Sequence, residues 1–212
     1  MSSGPFCPPS SVRAPGKLYL ASSNPGKLAE FRALAGSAGL SDGMDLELAP
    51  WFDSLPAFDE NEPTFAENAL GKALHCSKGH DGFVFADDSG LVVPALGGAP
   101  GVKSARYAGA AATSGERNAK LLEELRGRTG QERSAHFVCV IALAKQGRAV
   151  AIVSDRVDGM ILDAPRGELG FGYDPVFYFP DLGKSFAELS QAEKNTRSHR
   201  GKAFRRLLEL IH

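Results

Sequence analysis

The chain has 212 residues, of which 43% are hydrophobic and 23% are charged, the composition of an ordinary soluble globular protein. That length is enough for one sizeable α/β domain or a two-lobed one. A formal net charge of -1 offers no positive excess for a nucleic-acid backbone, which argues against a nucleic-acid-binding module, and no apolar run approaches the roughly 20 residues of a membrane span.

The N-terminal segment and the cysteines indicate the setting in which the chain works. Residues 1–16 are rich in proline, serine and glycine and lack the apolar region of a signal peptide. We therefore predict a disordered leader before a single domain of residues 17–212. Cys7, Cys76 and Cys139 are far apart and form no C-x-x-C pair. They indicate neither a disulfide framework nor a zinc site, and a reducing, cytoplasmic setting fits them best.

The first half of the chain alternates strands and helices. Apolar periodicity and helix-start residues predict a strand at 17–21, a helix at 28–38, a strand at 44–49, a helix at 63–78 and a strand at 83–86. Strands then cluster in the second half. The predicted elements there are a helix opened by the capping box Thr113-Ser114-Gly115-Glu116, a hairpin of 135–145 and 148–157, a strand at 175–177 and a last helix capped by Ser198. This order predicts an α/β fold with a mixed sheet.

The turn between the first strand and the first helix has the composition of a phosphate-binding loop. Such a turn presents free backbone N–H groups, and the start of a helix favours negative charge. Short polar donors, a glycine and a lysine occupy it: Ser22, Ser23, Asn24, Pro25, Gly26 and Lys27. The Walker A spacing is absent, and an ordinary capped turn is the alternative.

Two adjacent carboxylates follow the strand at 83–86, in the segment Asp87-Asp88-Ser89-Gly90. The carboxyl end of a strand suits a crevice better than a core. Carboxylate oxygens suit Mg²⁺, and one of the two could act as base toward an attacking water. The alternative is an acidic turn closed by Gly90.

A second acidic segment, Asp59-Glu60-Asn61-Glu62, precedes the helix that carries Glu67 and Asn68. It could supply further metal ligands. A solvated loop before an acid-rich helix start explains it at least as well.

Two segments near the C-terminus could recognise a base. Glycines flank the aromatic ring in Gly170-Phe171-Gly172-Tyr173-Asp174-Pro175, which would leave a face open for stacking; a tight turn with a core phenylalanine is the alternative. Lys194 and Ser198-His199-Arg200-Gly201 place cationic or donor groups at the start of the last helix. Such groups suit an anion or a carbonyl oxygen, or form a solvated basic face.

In their order and amino-acid sequence these segments resemble the inosine triphosphate pyrophosphatase family, which includes the bacterial dITP/XTP pyrophosphatases. The matching segments are 22–27, 64–69, 86–91, 96–101, 104–107, 170–175, 193–195 and 198–201. The resemblance implies two α/β lobes around a long central mixed sheet, with the nucleotide in the cleft between them. It also implies a homodimer and a Mg²⁺ requirement.

The resemblance further implies roles for the acidic segments. Asp88 would be the general base and a metal ligand, and Ser89 would contact the substrate. The other metal carboxylate of the family lies just before the 64–69 segment, where this chain departs from the Glu-Glu-Thr-Gly of many relatives. We predict Asp59 and Glu60 for that role, with Glu62 as the alternative.

For the remaining segments the resemblance implies substrate binding. Residues 22–27 would bind the triphosphate. Phe171 would stack on the purine beside Gly172 and Tyr173, and Asp174 would accept a hydrogen bond from it. Lys194, His199 and Arg200 would hold the base and its 6-oxo group.

The reaction implied is hydrolysis of ITP, dITP and XTP to monophosphate and pyrophosphate, which keeps these nucleotides out of DNA and RNA. Mg²⁺ would neutralise charge on the departing pyrophosphate, while Lys27 and the loop N–H groups hold the outer phosphates in line. Cationic donors from His199 and Arg200 would suit a 6-oxo group and be left unpaired against adenine.

Three other functions are compared with this one. A related pyrophosphatase could act on another base, such as a modified pyrimidine. A non-catalytic nucleotide-binding protein would be expected to lack the acids that Asp87, Asp88 and residues 59–62 provide. A nucleic-acid-binding module is disfavoured by the charge balance.

Overall fold

A computed structural model describes residues 16–23, 25–37 and 45–211. Its centre is a mixed seven-stranded sheet in the order β2-β1-β3-β4-β5-β6-β7. The strands are β1 (Lys17–Leu20), β2 (Asp45–Leu48), β3 (Phe83–Val92), β4 (Ser134–Lys145), β5 (Arg148–Ile161), β6 (Phe177–Phe179) and β7 (Lys184–Ser185). The helices are α1 (Pro25–Ser37), α2 (Phe65–Ser77), α3 (Ser114–Glu124), α4 (Gln191–Arg197) and α5 (His199–Leu210). The predicted α/β fold with a mixed sheet is confirmed.

Strand β3 is longer than predicted, and this changes the setting of the two aspartates. The prediction ended the strand at Ala86 and placed Asp87 and Asp88 after it, which is wrong, because β3 continues to Val92. The reason is its antiparallel partner β4, which pairs with β3 from Val84 to Val92 over nine consecutive residue pairs. Asp87 and Asp88 therefore lie inside a strand and point to opposite faces of the sheet.

Several other predicted boundaries are also corrected. The helix predicted from Pro63 begins at Phe65, because the Thr64 side chain caps it by accepting a hydrogen bond from the Glu67 N–H. The strand predicted at Pro175 begins at Phe177, since the main chain of residues 173–176 is used in turn bonds from Val176 and Phe177 to Tyr173. Helix α4 and strand β7 were not predicted. Some predictions lie outside the described residues. They concern residues 1–15 of the leader, Asn24, Ala38 and Met44.

The predicted hairpin and caps are confirmed. Strands β4 and β5 pair antiparallel around Gln146 and Gly147, where both residues have positive φ. Thr113 and Glu116 form the reciprocal capping box of α3. Ser198 caps α5 by accepting a hydrogen bond of 2.9 Å from the Gly201 N–H.

The hydrophobic core divides into clusters that define two lobes. One cluster packs α1 and α5 on one face of the sheet, around Phe31, Phe85 and Phe204, and another packs α2 on the opposite face. A third lies at the far end of the β4–β5 hairpin, where α3 and β6 pack around Phe177 and Leu121. The two-lobed arrangement expected from the resemblance is thus present, and β3 runs from the first lobe into the second.

Among the described residues, none of the helices is long and apolar enough to cross a membrane.

Candidate active site

The site begins where β3 loses one of its two neighbours. Strand β1 pairs with β3 in parallel only as far as Phe85. Beyond that point side chains bond to the open edge of β3: Lys72 Nζ donates to the Asp87 carbonyl at 2.8 Å, and the Leu91 N–H donates to Ser104 Oγ at 2.9 Å. The gap between β1 and the segment around Ser104 is the floor of a cleft.

Asp87 occupies the face of β3 that carries α1 and α5, and it holds two cations. Its side chain is 1% exposed. Lys27 Nζ donates to Oδ1 at 2.9 Å, and the Arg200 guanidinium lies 3.4 Å from Oδ2. Burial alone would raise the pKa of Asp87, but Lys27 and Arg200 outweigh it and hold the pKa well below its ordinary value. Asp87 is therefore an ionised hub that joins the predicted phosphate loop to the start of α5.

Asp88 occupies the opposite face of β3, beside α2, and is differently placed. Its Oδ1 accepts the Ser89 N–H at 3.0 Å, whereas its buried Oδ2 has no hydrogen-bond partner among the described residues. Burial and the nearby Glu60 carboxylate raise the pKa of Asp88 to about 6, against smaller opposing effects of Lys72 and Asn68. A buried carboxylate oxygen without a partner is costly, and at an active site it indicates a place for a bound group.

The acidic loop brings one of its carboxylates to Asp88. Glu60 forms an ion pair with the buried Lys72, and Glu60 and Asp88 line the same cavity. Asp59 is exposed, and in the described part of the chain no three or more His, Cys, Asp or Glu side chains are placed so that they could hold one metal ion. Of the two ligands predicted in this loop, the structure therefore brings Glu60 to Asp88 and leaves Asp59 outside.

The aromatic turn at residues 170–174 presents Phe171 to solvent. The ring is 66% exposed, while its neighbours are fixed: Asn118 Nδ2 donates to the Gly172 carbonyl and the buried Tyr173 hydroxyl donates to the Ser104 carbonyl. Asp174 Oδ2 accepts from the Phe171 N–H at 3.2 Å. The Phe171 ring is thus open to solvent on a turn that is fixed by hydrogen bonds, and Gly172 and Tyr173 take part in those bonds.

The conformation of this turn requires glycine at position 170. Its φ is +86°, a value that side chains disfavour. A Cβ there would also collide with Asp174 Oδ2 and Lys194 Nζ, which form a buried ion pair of 3.0 Å. Burial raises the pKa of Asp174, and Lys194 partly opposes the shift.

The predicted cationic cluster at α5 is corrected in two respects. Lys194 lies on α4 and not at the start of α5. His199 is buried and stacks on Phe137 with ring centroids 4.8 Å apart. Burial, and then the charge of Arg200, lower the pKa of His199 to about 3, so the imidazole is neutral near pH 7 and is not a cationic donor. Its Nδ1 has no hydrogen-bond partner within the described chain.

Two adjoining cavities lie along these groups. The first, which we call the carboxylate cavity, has a volume of about 240 Å³ and is lined by Lys27, Glu60, Asp88, Ser89, Arg117 and the residues named below as shared. The second, the helix cavity, has about 360 Å³ and lies between α1, α4 and the aromatic turn. Both are lined by Phe171, Asp174, His199 and Arg200. They form one cleft with carboxylates at one end and an aromatic ring in the middle.

The predicted phosphate loop borders this cleft. Ser22 and Ser23 follow β1, and Pro25, Gly26 and Lys27 form the first turn of α1. The Lys27–Asp87 ion pair places this turn against β3. Asn24 is outside the described residues, so its predicted role stays a prediction.

Sequence reasoning missed several residues of the cleft. Arg200 Nη1 donates to Glu30 at 2.7 Å, and Glu30 lies one helical turn after Lys27, a spacing that could have indicated it. Phe137, which also lines the cleft, was missed as well, as were three residues that bond to its lining: Lys72, Arg106 and Asn118. Their roles depend on contacts distant in sequence, and no local pattern marks them.

The fold and the cleft together define a class of α/β proteins. In this class one cleft contains a carboxylate pair, a loop with a lysine and an exposed aromatic ring, which are groups suited to the phosphates and the base of a nucleotide. The model of the Ham1 family matches residues 18–210. The chain therefore belongs to the Ham1 family.

Individual relatives agree with this assignment. The chain is 49% identical over 193 residues to a dITP/XTP pyrophosphatase of Geobacillus kaustophilus, covering 91% of this chain and 93% of that protein. It is 50% identical to a dITP/XTP pyrophosphatase of Thermus thermophilus, covering 91% and 90%. Among solved structures it resembles a HAM1 protein from Coxiella burnetii, with a TM-score of 0.82, 42% identity and coverage of 92% and 98%. The Ham1 protein of Staphylococcus aureus gives a TM-score of 0.81 at 36% identity, with coverage of 92% and 97%.

Proposed function

We propose that this chain hydrolyses the non-standard purine nucleotides ITP, dITP and XTP to nucleoside monophosphate and pyrophosphate. The observation that carries the proposal is Asp88, whose buried and unpartnered Oδ2 lies in the cleft beside Glu60. Relatives about half identical over most of the chain are named dITP/XTP pyrophosphatases. Such an activity would remove these nucleotides from the pool that supplies DNA and RNA.

The carboxylate pair fits a hard divalent cation such as Mg²⁺. A buried carboxylate with one unsatisfied oxygen and a half-exposed carboxylate in the same cavity form a site whose charge a cation would balance. Glu60 and Asp88 would hold the ion, with Asp59 too exposed to share in the same pair. A bound Mg²⁺ supplies neutralisation of the charge that develops on the phosphate oxygens.

The protein's own groups then act at the phosphates. Asp88 orients a water molecule and accepts its proton as the water attacks the α-phosphorus. Lys27 and the backbone of the first turn of α1, with Ser22, Ser23 and Gly26, hold the outer phosphates in line. Ser89, which lines the cavity next to Asp88, contacts the substrate.

The base lies in the middle of the cleft, where the two cavities share their lining residues. Phe171 offers an open face for stacking on the purine, between the fixed residues Gly172 and Tyr173. Asp174 and Lys194 offer an acceptor and a donor to the base edge. The Arg200 guanidinium stays cationic because, against the effect of burial, Asp87 and Glu30 raise its pKa. Neutral His199 offers a ring nitrogen, Nδ1, that has no hydrogen-bond partner among the described residues. A 6-oxo group pairs with these donors, whereas the amino group of adenine leaves them unsatisfied.

The direct test is an assay of ITP, XTP, ATP and GTP with and without Mg²⁺, with all products resolved. We expect fast, Mg²⁺-dependent release of IMP and pyrophosphate, with ATP and GTP nearly untouched. Release of diphosphate and single phosphate would mean attack at a different phosphorus. Binding without turnover of any nucleotide would favour a non-catalytic binding protein.

Activity should rise with pH through the titration of Asp88. Its pKa is raised to about 6 in the metal-free protein, so below that value the carboxyl is protonated and can neither accept a proton nor hold Mg²⁺. At limiting Mg²⁺ we expect kcat/KM for ITP to rise by about tenfold per pH unit below this pKa and to level off above it. Because a cation favours the ionised carboxylate, excess Mg²⁺ should move the midpoint to lower pH. A midpoint that does not respond to Mg²⁺ would contradict the assignment.

Three further predictions accompany the proposal, and the first of them rests on the family resemblance. They are a homodimer, a cytoplasmic location and a single domain over residues 17–212. Each stays a prediction, and sedimentation of the purified chain would test the first.

A further inference from the structure

The acidic loop lies in a position that electrostatics opposes. Residues 55–64 belong to no helix or strand. The loop nevertheless brings Glu60 into the cavity that Asp88 also lines, and the Glu60 carboxylate raises the pKa of Asp88. Two negative charges in a partly buried cleft repel each other when no cation lies between them. Specific contacts must therefore hold the loop against the cleft.

Most of the described contacts that hold this loop come from α2. Lys72 pairs with the Glu60 carboxylate. Asn68 bonds both the N–H and the carbonyl of Glu62, at 3.0 and 3.3 Å, and His75 Nε2 lies 3.0 Å from the Pro56 carbonyl. These contacts fix the side of the loop that faces α2.

One contact crosses the cleft from the other side. Arg106 Nη2 donates to the main-chain carbonyl of Glu60 at 2.6 Å. It is the last residue of a short 3-10 helix, Gly101–Arg106, and lies in segment 104–107, which matches the family but for which the resemblance implies no role. The bond ends on the backbone of the residue whose carboxylate faces Asp88.

The segment that carries Arg106 is itself firmly held. Ser104 Oγ accepts the Leu91 N–H of β3 and donates to the Gly101 carbonyl at 2.6 Å. The Tyr173 hydroxyl bonds the Ser104 carbonyl, and Arg117 Nη1 donates to the Ala105 carbonyl. Arg106 thus extends from a base that is tied to the same strand as Asp88.

We propose that Arg106 is a positioning residue that holds the Glu60 carboxylate opposite Asp88, so that a divalent cation meets the two ligands already in place. The inference rests on the proposed function, because it takes Glu60 and Asp88 as the cation ligands. The Arg106 guanidinium also brings a positive charge toward a loop rich in acids. Without it, repulsion from Asp88 would let Glu60 move away, and the cation would have to draw the loop back.

The test is a Mg²⁺ titration of the nucleotide-free full chain, followed by thermal unfolding at constant ionic strength. We expect Arg106→Ala to need roughly five- to tenfold more Mg²⁺ than the wild type for half of the maximal rise in Tm. Arg106→Lys, which keeps the charge and one donor, should lie between the two. Because no nucleotide is present, loss of a phosphate contact cannot produce this change.

Lys103→Ala is the matched control, since it removes a positive charge from the same 3-10 helix and leaves the Arg106–Glu60 bond intact. It should titrate like the wild type. An Arg106→Ala protein with a lower Tm but an unchanged Mg²⁺ midpoint would overturn the inference and mean that Arg106 only stabilises the fold. Equal effects of Arg106→Ala and Lys103→Ala would also overturn it, in favour of a general charge effect.

The same experiment separates this inference from the proposed function. If the wild type hydrolyses ITP and its Tm responds to Mg²⁺, but Arg106→Ala responds identically, only the role of Arg106 is lost. A wild type whose Tm and turnover both ignore Mg²⁺ would overturn the cation site itself, and with it this inference.

Discussion

Replacing Asp88 by Asn is expected to abolish nearly all turnover of ITP while nucleotide binding persists. The amide keeps an acceptor for the Ser89 N–H, which Asp88 Oδ1 now accepts at 3.0 Å. It can neither take a proton from water nor carry charge to a cation. General-base catalysis alone contributes about 10²- to 10⁴-fold, so kcat for pyrophosphate release should fall by at least that factor. The measurement is kcat with saturating Mg²⁺, together with calorimetric binding of ITP.

The same substitution should leave the protein as stable as the wild type or more stable. A carboxyl whose pKa is raised to about 6 in the folded state is ionised at a cost above that pH and at no cost well below it. At pH 8 without metal, Asn in its place should therefore raise the free energy of unfolding, by at most about 3 kcal/mol. Lost turnover with unaltered or higher stability would identify Asp88 as a reacting group. Retained turnover would refute its role.

Asp87→Asn should have the opposite signature, with a large loss of stability. Asp87 is the buried counter-ion of Lys27 and Arg200. Its neutral isostere would leave two cations facing each other in the cleft. Breaking a buried ion pair by removing one partner costs about 3–5 kcal/mol, and we expect a loss of that size in urea unfolding at neutral pH. Because the Asp87 pKa is depressed, the difference from the wild type should shrink only in strong acid.

The control for both aspartates is Asp158→Asn on β5. Asp158 pairs with Arg156 at 3.4 Å, and both side chains are more than half exposed, so its loss should change stability little. Turnover should also be unaffected, since the residue lies outside the cleft. If Asp87→Asn unfolds like Asp158→Asn, the buried ion pairs are not what holds Lys27 and Arg200 in place.

Local chemistry is what the sequence alone could predict in this molecule. Several features depend only on residues adjacent in the chain. They are the hairpin turn at Gln146-Gly147, the helix caps at Thr113 and Ser198, and the strand-to-helix turn at Lys27. Each carries its own signal, and each is found in the structure. The family resemblance added the order of the segments and, with it, the grouping of distant ones into one cleft.

What could not be predicted depends on burial and on partners far along the chain. The length of β3 is set by its pairing with β4, about 50 residues later, so the aspartates could not be placed on opposite faces beforehand. His199 looked cationic because its sequence neighbours are basic, yet burial against Phe137 makes it neutral. Asp59 and Glu60 are neighbours in the same loop, and they are distinguished by the ion pair of Glu60 with Lys72 and by the exposure of Asp59.

The two walls of the cleft are built by different kinds of bonds. Asp88 belongs to a strand whose backbone pairs with β4 over nine consecutive residue pairs, so its amide can exchange with solvent only when much of the sheet opens. Glu60 belongs to a loop held by side chains, and such segments open at a small fraction of the global free energy. The Asp88 carboxylate is therefore held in place at all times, whereas the Glu60 carboxylate exchanges between the closed and open positions of its loop. The entropic cost of ordering the site falls on the loop alone.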